Sequence, residues 1–185
     1  MKKEEIRRRI KAHKALLSDI ERSRAADAVF SLLEKSAAFI MADKILMYHS
    51  LPDELSTIEF INKWHDRKHF FLPRVNGVDL EVLPYDSTRL QYGAFHIEEP
   101  TGDDIEEIDN IELIVVPAVA YDRNGNRVGR GKGYYDRLLS HTGATKIGVG
   151  YDFQLVDEID AEPHDVTMDI VITESGTITI KHTKH

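Results

Sequence analysis

Residues 112–137 read ELIVVPAVAYDRNGNRVGRGKGYYDR, and this stretch decides the fold class. Its first part, residues 112–120, is a short apolar run typical of a buried β-strand. Residues 122–132 form a loop rich in glycine and arginine, and we predict that a helix follows from about Gly133 to Ser140. A buried strand that leads through a loop into a helix is the repeating unit of an α/β domain with a parallel sheet.

Short apolar runs on both sides of this stretch predict further strands. They lie at residues 44–50, 69–75, 78–84, 145–151, 169–173 and 177–180. The dipeptide Asn76-Gly77 between two of these runs is a strong hairpin signal. Apart from the last two runs, which only three residues separate, the other runs are separated by segments long enough for helices, which favours a mainly parallel arrangement.

Helical patterns lie before the first predicted strand and in some of the intervals between strands. Ile6, Ile10 and Leu17 predict an amphipathic helix with a basic outer face. Ser18 and Glu21 have the spacing of a capping box. We predict that the helix they begin runs to about residue 38, and that another runs from residue 56 or 57 to about 67. Residues 86–109 show no clear pattern, and we interpret them as a long surface connection.

The bulk composition is that of one ordinary globular domain. The chain has 185 residues, with 42% hydrophobic and 30% charged residues, so we predict a single domain over residues 1–185 with a frayed tail at 181–185. It has no cysteine, which excludes a disulfide framework and a thiolate metal site. The N-terminus does not resemble a signal peptide, and no apolar run is long enough for a membrane helix. We therefore expect a cytoplasmic protein without a membrane partner.

The loop within residues 122–132 and the start of the following helix have the composition of a polyphosphate site. Gly129, Gly131 and Gly133 let the backbone approach a ligand, and amide groups at a helix N-terminus attract anions. The same segment supplies cations and one carboxylate, namely Arg127, Arg130, Lys132 and Asp136. Cations bind phosphate oxygens, and a carboxylate is a ligand that Mg²⁺ prefers. The spacing is neither a Walker A loop nor a dinucleotide fingerprint, so a glycine-rich turn with basic decoration remains an alternative.

The sequence GRGKGYYDR at residues 129–137, preceded by NGNR at 124–127, resembles the signature of the 5-formyltetrahydrofolate cyclo-ligase family. Other segments agree in the same order along nearly the whole chain, and the glycine-rich motif is the specific one. They are Lys3 and Arg7 in the first helix, YHSLPDE at 48–54 with Thr57, FLPR at 71–74, Glu99-Pro100, and Pro163-His164-Asp165 followed by Asp169. Leu55 departs from the valine that is frequent in the family.

The resemblance implies a three-layer α/β/α domain with a mainly parallel central sheet, similar to ribose-5-phosphate isomerases and CoA transferases. It also implies a reaction in which ATP and 5-formyltetrahydrofolate give 5,10-methenyltetrahydrofolate, ADP and phosphate, with Mg²⁺ as cofactor. The formyl oxygen would attack the γ-phosphate, and the second folate nitrogen would then close the ring. Such chemistry needs positioning and charge stabilisation rather than a side-chain nucleophile.

The resemblance assigns roles to individual residues. Arg130 and Lys132 are the candidate catalytic residues, through contacts with the γ-phosphate. ATP-binding candidates are Lys3, Arg7, Arg127, Gly129, Arg130, Gly131, Lys132, Gly133, Tyr134, Tyr135 and Asp136. Substrate-binding candidates are His49, Glu54, Phe95, Arg130, Gly131, Lys132, Gly133 and Tyr134, with His96 as a substitute for Phe95. Metal-ligand candidates are Asp136 and Asp165, with Asp169 as a second choice.

Each role has a structural alternative that the sequence leaves open. Lys3 and Arg7 would serve equally as a solvated basic face of a helix. Asp136 would serve as a helix salt bridge, and Asp165 as a loop or cap residue. Glu54 would serve as an acidic residue stabilised at a helix N-terminus.

Other functions use the same features differently. A sugar-phosphate isomerase or CoA-transferase-like enzyme would use the glycine-rich loop without ATP, and a nucleotide- or folate-binding regulator would not turn over. A nucleic-acid-binding module is disfavoured by the net charge of −8. We therefore expect small-molecule substrates, no nucleic-acid partner and a monomeric enzyme.

Overall fold

The structure, a computed structural model, describes residues 1–93 and 98–182. The helices are α1 Lys3–Lys14, α2 Asp19–Lys35, α3 Ala37–Met41, α4 Ile58–Trp64 and α5 Tyr134–Leu139. The strands are β1 Lys44–Leu46, β2 His69–Asn76, β3 Asp79–Pro84, β4 Leu90–Tyr92, β5 Glu98–Pro100, β6 Leu113–Val116, β7 Ala120–Tyr121, β8 Arg127–Val128, β9 Thr145–Val149, β10 Ile170–Thr173 and β11 Gly176–Thr179.

Seven strands form the central sheet, in the order β11-β10-β9-β6-β1-β2-β3. The five inner strands are parallel, and β3 and β11 add antiparallel edges through hairpins. The hairpin predicted at Asn76-Gly77 joins β2 and β3, and Gly77 has the positive φ of 65° that such a turn requires. The prediction of an α/β domain with a mainly parallel sheet is confirmed.

Both faces of the sheet are covered, which makes three layers. Leu113 and Val115 of β6 point into a core shared with α2, α3 and α4, whereas Ile114 and Val116 point into a core shared with α5. This alternation explains why β6 is apolar without interruption, since both of its faces are buried. The specific likeness to ribose-5-phosphate isomerases and CoA transferases stays a prediction.

Helix α1 belongs to neither of these two layers. Ile6 and Ile10 pack with Ala120, Val128 and Ile159 in a third apolar cluster. Ala120 and Val128 belong to the two-stranded sheet of β7 and β8, which lies in the loop after β6. The first helix is therefore attached directly to the segment that carries the glycine-rich motif.

Several element boundaries differ from the sequence prediction. The helix expected to run to about residue 38 ends at Lys35, because Ser36 adopts an extended conformation and its hydroxyl caps α3. The helix expected to reach residue 67 ends at Trp64. The run at 112–120 is divided after Val116, where Pro117 lacks the amide that a continuing strand needs.

The segment at 86–109 is not without structure, contrary to the sequence interpretation. It contains the antiparallel pair of β4 and β5 and a short 3₁₀ helix at Ile108–Asn110. Each of these strands has three residues, too few to give a period that a sequence pattern could reveal. Of the predicted tail, residues 183–185 lie outside the described residues.

Candidate active site

The loops that follow β1, β6 and β9 meet at one edge of the sheet. These strands are parallel neighbours, so their carboxyl ends lie side by side. The side-chain amide of Gln154, after β9, donates to the carbonyl oxygen of Ala118, after β6, over 3.0 Å. Arg130, also after β6, donates to Asp53, after β1, over 3.1 Å. These contacts bring the three loops together at the carboxyl ends of their strands.

A buried carboxylate organises the first half of the glycine-rich loop. Asp122 is fully buried and accepts hydrogen bonds from the amides of Asn124, Asn126 and Ile159, at 3.0, 2.9 and 3.0 Å. The side-chain amide of Asn126 adds a fourth donor at 3.0 Å. Sequence analysis gave Asp122 no role, although an aspartate two residues before Asn-Gly is the composition of an Asx turn.

The second half of the loop depends on two glycines in the left-handed region. Gly131 has φ of 100° and Gly133 has φ of 72°, which other residues adopt only with strain. A Cβ atom at Gly133 would lie 2.8 Å from the guanidinium of Arg137. A Cβ atom at Gly131 would lie 3.7 Å from the guanidinium of Arg7, so this cation of α1 lies close to the glycine backbone.

The two predicted cations of α1 both reach the site. The Lys3 ammonium lies 2.6 Å from a carboxylate oxygen of Asp165. Arg7 donates from Nε to the carbonyl oxygen of Gly129 over 2.9 Å and also pairs with Glu4. Lys3 and Arg7 are therefore held against the glycine-rich loop and the acidic segment, and the alternative of a fully solvated basic face does not describe them.

Arg127 lies beneath the loop rather than on it. Its side chain is 5% exposed, donates to the carbonyl oxygen of Pro117 over 3.1 Å and lies 3.7 Å from Asp136. Its guanidinium also lies 5.6 Å from the ring centre of Tyr135, whose pKa burial raises well above the ordinary value. In this position Arg127 and Tyr135 support the loop from behind, and their contacts with ATP stay a prediction.

Arg130, Lys132 and Tyr134 lie on the outer side of the loop. Arg130 and Lys132 are exposed. The Tyr134 hydroxyl lies 3.5 Å from the carbonyl oxygen of Gly77 in the β2–β3 turn, and the Arg137 guanidinium lies 5.5 Å from the Tyr134 ring. The positive groups that sequence analysis assigned to the γ-phosphate are thus on the accessible surface of the loop.

The two proposed metal ligands are close in space. A carboxylate oxygen of Asp136 accepts a hydrogen bond from the amide of Val166, the residue after Asp165, over 3.3 Å. Burial opposes ionisation of Asp165, but the Glu162 amide at 2.9 Å and the Lys3 ammonium outweigh it and hold its pKa below the usual range. Asp165 is therefore a firmly anionic group beside Asp136.

Asp169, the second choice for a metal ligand, lies elsewhere. It precedes β10, and its carboxylate accepts from the amide of Lys146 over 2.8 Å and contacts His182 at 2.8 Å. Lys146 is near the amino end of β9, so this group lies at the sheet edge opposite the candidate site. The expectation that Asp169 could replace Asp165 is wrong for this reason.

The loop after β1 presents a nearly buried carboxylate. Glu54 is 10% exposed in its side chain, accepts from the Leu51 amide over 2.9 Å and lies 3.7 Å from Arg130. Burial raises the pKa of the Glu54 carboxyl, and the Leu51 amide, Arg130 and Lys14 only partly offset this. Thr57 fixes the loop by donating to the carbonyl oxygen of Tyr48 over 2.8 Å.

A pocket of about 420 Å³ lies beside Glu54, between α2 and the loop after β1. Its lining includes Arg22, Ser50, Leu51 and Ile58. His49 lies 3.3 Å from Glu98 of β5 and is mostly shielded from solvent. The expected aromatic contact from Phe95, or from His96, lies outside the described residues.

Two charged residues of the site escaped sequence analysis. Asp53 receives Arg130 in a two-oxygen contact, at 3.1 and 3.4 Å, and Lys14 lies 3.8 Å from the same carboxylate. Lys14 and Asp53 are far apart in sequence, so only the way α1 packs brings them together. Asp53 could have been suspected from its place beside Glu54 at the end of a predicted strand.

Comparison with known proteins bears directly on this arrangement. The model of the 5-formyltetrahydrofolate cyclo-ligase family matches residues 1–174. A 5-formyltetrahydrofolate cyclo-ligase of Escherichia coli is 30% identical over 146 residues, covering 74% of this chain and 80% of that protein. One of Mycolicibacterium smegmatis is 54% identical over 70 residues, and there the match spans only 37% of this chain and 36% of that protein.

A solved structure agrees with these matches. The NMR structure of Aquifex aeolicus 5,10-methenyltetrahydrofolate synthetase has a TM-score of 0.89 and 30% sequence identity, covering 99% of this chain and 95% of that chain. The likeness therefore extends over nearly the whole chain. In the part of the chain that the structure describes, no helix has the length and apolar character to cross a membrane.

Proposed function

The chain belongs to the 5-formyltetrahydrofolate cyclo-ligase family, and on that premise we propose that it closes 5-formyltetrahydrofolate to 5,10-methenyltetrahydrofolate with ATP as co-substrate. The observation that carries this proposal is the meeting of α1, the glycine-rich loop and the loop of Glu54 at one sheet edge. Arg7 joins α1 to Gly129, and Arg130 joins the glycine-rich loop to Asp53 and Glu54. One site thereby has cations for a polyphosphate and carboxylates for a pterin.

The proposed reaction has two steps. The formyl oxygen attacks the γ-phosphorus, the bond to the β-phosphate oxygen breaks, and ADP leaves with that electron pair. The second folate nitrogen then attacks the formyl carbon, loses its proton, and phosphate leaves with the oxygen. Phosphorylation is needed because an amide-like oxygen is otherwise a poor leaving group. The protein contributes position and electrostatic stabilisation of the transferring phosphoryl group.

Arg130 and Lys132 are the residues that we propose to contact the γ-phosphate. Both are exposed on the glycine-rich loop, and guanidinium and ammonium groups donate charge-assisted hydrogen bonds to phosphate oxygens. Lys3 and Arg7 would bind the same polyphosphate from α1. Glu54 would accept hydrogen bonds from the pterin amino and ring N–H groups, since its second oxygen is not taken by the Leu51 amide.

Asp136 and Asp165 fit a magnesium ion by their chemistry. Both are carboxylates, and the low pKa of Asp165 keeps it anionic. Within residues 1–93 and 98–182, no group of three or more histidine, aspartate or glutamate side chains is arranged to hold an ion alone. We therefore propose that the ion is shared with the phosphates of ATP, as Mg²⁺ commonly is, and that it would neutralise their charge.

A cytoplasmic location and a monomeric state are part of the same proposal. The absence of cysteine suits a reducing compartment. Small molecules rather than nucleic acid are the proposed partners. Sedimentation at micromolar concentration would test the monomeric state.

The test is a turnover assay with purified protein. We expect 5-formyltetrahydrofolate to be converted to a product with the near-ultraviolet absorbance of the methenyl compound only when ATP and Mg²⁺ are both present. Arg130→Met and Lys132→Met should each lower kcat by about 100-fold or more, as loss of a transition-state donor does. Arg123→Met, an equal change at an exposed position of the same loop, should leave it within twofold.

Two results would count against the proposal. A folded wild-type protein that forms no methenyl product in the complete mixture would reject the activity, and sugar phosphates and CoA esters would be the next substrates to test. Full turnover in Arg130→Met and Lys132→Met would reject their assignment while leaving the activity intact. Loss of turnover on chelation, restored by added Mg²⁺, is the expected behaviour of the metal.

A further inference from the structure

Four charged side chains form a cluster where the end of α1 meets the loop after β1. We call Lys14, Asp53, Glu54 and Arg130 the charge cluster. Arg130 lies 3.1 Å from Asp53 and 3.7 Å from Glu54, and Lys14 lies 3.8 Å from Asp53. Two cations therefore share two carboxylates, and one of those cations has been assigned to the phosphates of ATP.

Lys14 is an unusual member of this cluster because it is buried. It is 4% exposed, whereas Asp53 and Arg130 have side chains 46% and 50% exposed. Burial lowers the pKa of the Lys14 ammonium, although Asp53 and Glu54 oppose this. A buried cation costs folding free energy unless it is paired. Because Lys14 is buried and lies next to Asp53, we looked for a function of its charge that an exposed lysine could not have.

Arg130 faces two competing demands. In the structure its guanidinium is bound to the carboxylates of the loop after β1. To bind a γ-phosphate it has to turn away from them, and Asp53 and the nearly buried Glu54 would then lose a cation that lies 3.1 and 3.7 Å from their oxygens. Glu54 is nearly buried, so its carboxylate would be left with less compensation for its charge, and this opposes the movement.

Contacts that do not involve Arg130 hold the backbone of Lys14 next to Asp53. Arg22 of α2 donates from one nitrogen to the carbonyl oxygen of Lys14 over 2.8 Å, and from another to the carbonyl oxygen of Pro52 over 3.0 Å. Pro52 precedes Asp53, so Arg22 fixes the end of α1 to the backbone beside Asp53. None of these contacts involves Arg130.

We propose that Lys14 is a positioning residue that neutralises Asp53 when Arg130 turns from the charge cluster to the phosphates of ATP. Asp53 holds Arg130 before ATP binds, and Lys14 lowers the cost of releasing it. This inference rests on the proposed function, because it requires Arg130 to be a phosphate ligand. It adds two residues, Lys14 and Asp53, that have no direct contact with either substrate.

The inference predicts a specific pattern of ATP affinities. Lys14→Met should weaken binding of ATP about tenfold, because Asp53 would be left without a cation when Arg130 moves. Asp53→Asn should tighten ATP binding severalfold, because it releases Arg130. In the Asp53→Asn background, Lys14→Met should change the affinity less than twofold, since the carboxylate that pairs with the ammonium is then absent. Lys14→Arg should retain most of the wild-type affinity.

The measurement is calorimetric titration of each variant with a non-hydrolysable ATP analogue and Mg²⁺, analysed as a double-mutant cycle. Lys35→Met removes one positive charge from an exposed position of α2 and is the control for net charge. A merely structural role of Lys14 predicts the same loss in both backgrounds. That result, or a Lys14→Met affinity within twofold of wild type, would overturn the inference.

Two further measurements distinguish a failure of this inference from a failure of the proposed function. Turnover of the wild-type protein is measured separately, and its failure would reject the activity whatever the cycle shows. If Lys14→Met does not fold, as a thermal unfolding scan would reveal, Asp53→Asn alone decides. An unchanged ATP affinity in Asp53→Asn would then contradict the proposal that Asp53 holds Arg130.

Discussion

At the scale of single residues, the site contains a carboxylate, Glu54, in a nearly buried position where its charged form is disfavoured. Burial raises the pKa of Glu54, and the same burial makes its carboxylate a stronger partner for any N–H group that reaches it. A surface glutamate would share its hydrogen bonds with water and would bind a pterin less tightly. The position of Glu54 thus gives up some stability for binding, a trade that is common in functional sites.

This trade predicts the effect of pH and of Glu54→Gln. Because the folded-state pKa is raised, Glu54 takes up a proton at a higher pH than a glutamate with the ordinary value of 4.5. The kcat/KM for the folate should therefore fall as the pH is lowered, starting above that value. At neutral pH, Glu54→Gln should lower kcat/KM by about 10- to 100-fold, the worth of a hydrogen bond to a charged group, and should abolish this acid limb.

Glu54→Gln should lower kcat/KM without lowering the stability of the fold. A carboxyl with a raised folded-state pKa stabilises the fold below its unfolded pKa and loses that contribution as the pH rises through the folded pKa. At neutral pH Glu54→Gln should therefore not lower the free energy of unfolding, as urea denaturation would reveal. Glu107→Gln, at an exposed position before the amino end of β6, should change neither quantity. A large loss of stability in Glu54→Gln would mean that the carboxylate is structural.

Sequence reasoning identified the residues of the site by type but not by partner. Arg130, Asp136 and Glu54 were recognised because a specific motif or a strand end marked them. The contact between Lys14 and Asp53 was not predictable, because it depends on how α1 packs against the loop after β1. A lysine in a basic helix looks like a solvated group until its burial is known.

At the scale of elements, α1 packs against the segment that carries the glycine-rich loop and contacts that loop through its cations. Its apolar side packs on β7 and β8, and its cations reach Gly129 and Asp165. The periodicity of Ile6 and Ile10 predicted this helix, but α1 ends at Lys14, so Leu17 lies outside it. A helical pattern also does not say what the apolar side covers. The short strands β4, β5, β7 and β8 were missed, because two or three residues carry no measurable period.

Ile6→Ala tests whether α1 positions the phosphate ligands. Ile6 is 1% exposed, so its truncation should leave a cavity and lower the free energy of unfolding by about 2–4 kcal/mol. Looser packing of α1 should also weaken binding of an ATP analogue, because Lys3 and Arg7 would be less well held. Ile20→Ala, at a position that is 64% exposed, should affect neither. Unchanged nucleotide affinity in a measurably destabilised Ile6→Ala protein would contradict a positioning role for α1.

At the scale of the whole molecule, the parallel sheet creates the site by aligning its strand ends. β1, β6 and β9 contribute one loop each, and α1 closes over them from the start of the chain. The mainly parallel sheet was predictable because alternating strands and helices leave few alternatives. The order of the strands was not predictable, since it depends on contacts between segments far apart in the chain.

A ligand that joins these separate segments should stabilise the entire fold. ATP with Mg²⁺ would contact α1, the glycine-rich loop and the segment of Asp165, none of which is connected to the others by a short stretch of chain. At a concentration about 100 times its dissociation constant, a ligand that binds only the folded state adds about 2.7 kcal/mol. For a protein of this size we expect Tm to rise by about 5–10 °C.

Thermal unfolding with matched ligands makes this prediction specific. ATP with Mg²⁺ should raise Tm more than ATP with a chelator, because the ion would join the phosphates to Asp136 and Asp165. The variant Asp136→Asn should lose that difference while keeping most of the stabilisation by ATP alone, which depends on the cations. A Tm that rises equally with and without Mg²⁺ in the wild-type protein would argue that Asp136 and Asp165 serve only as partners of Arg127 and Lys3. The metal would then act on the nucleotide without being held by the chain.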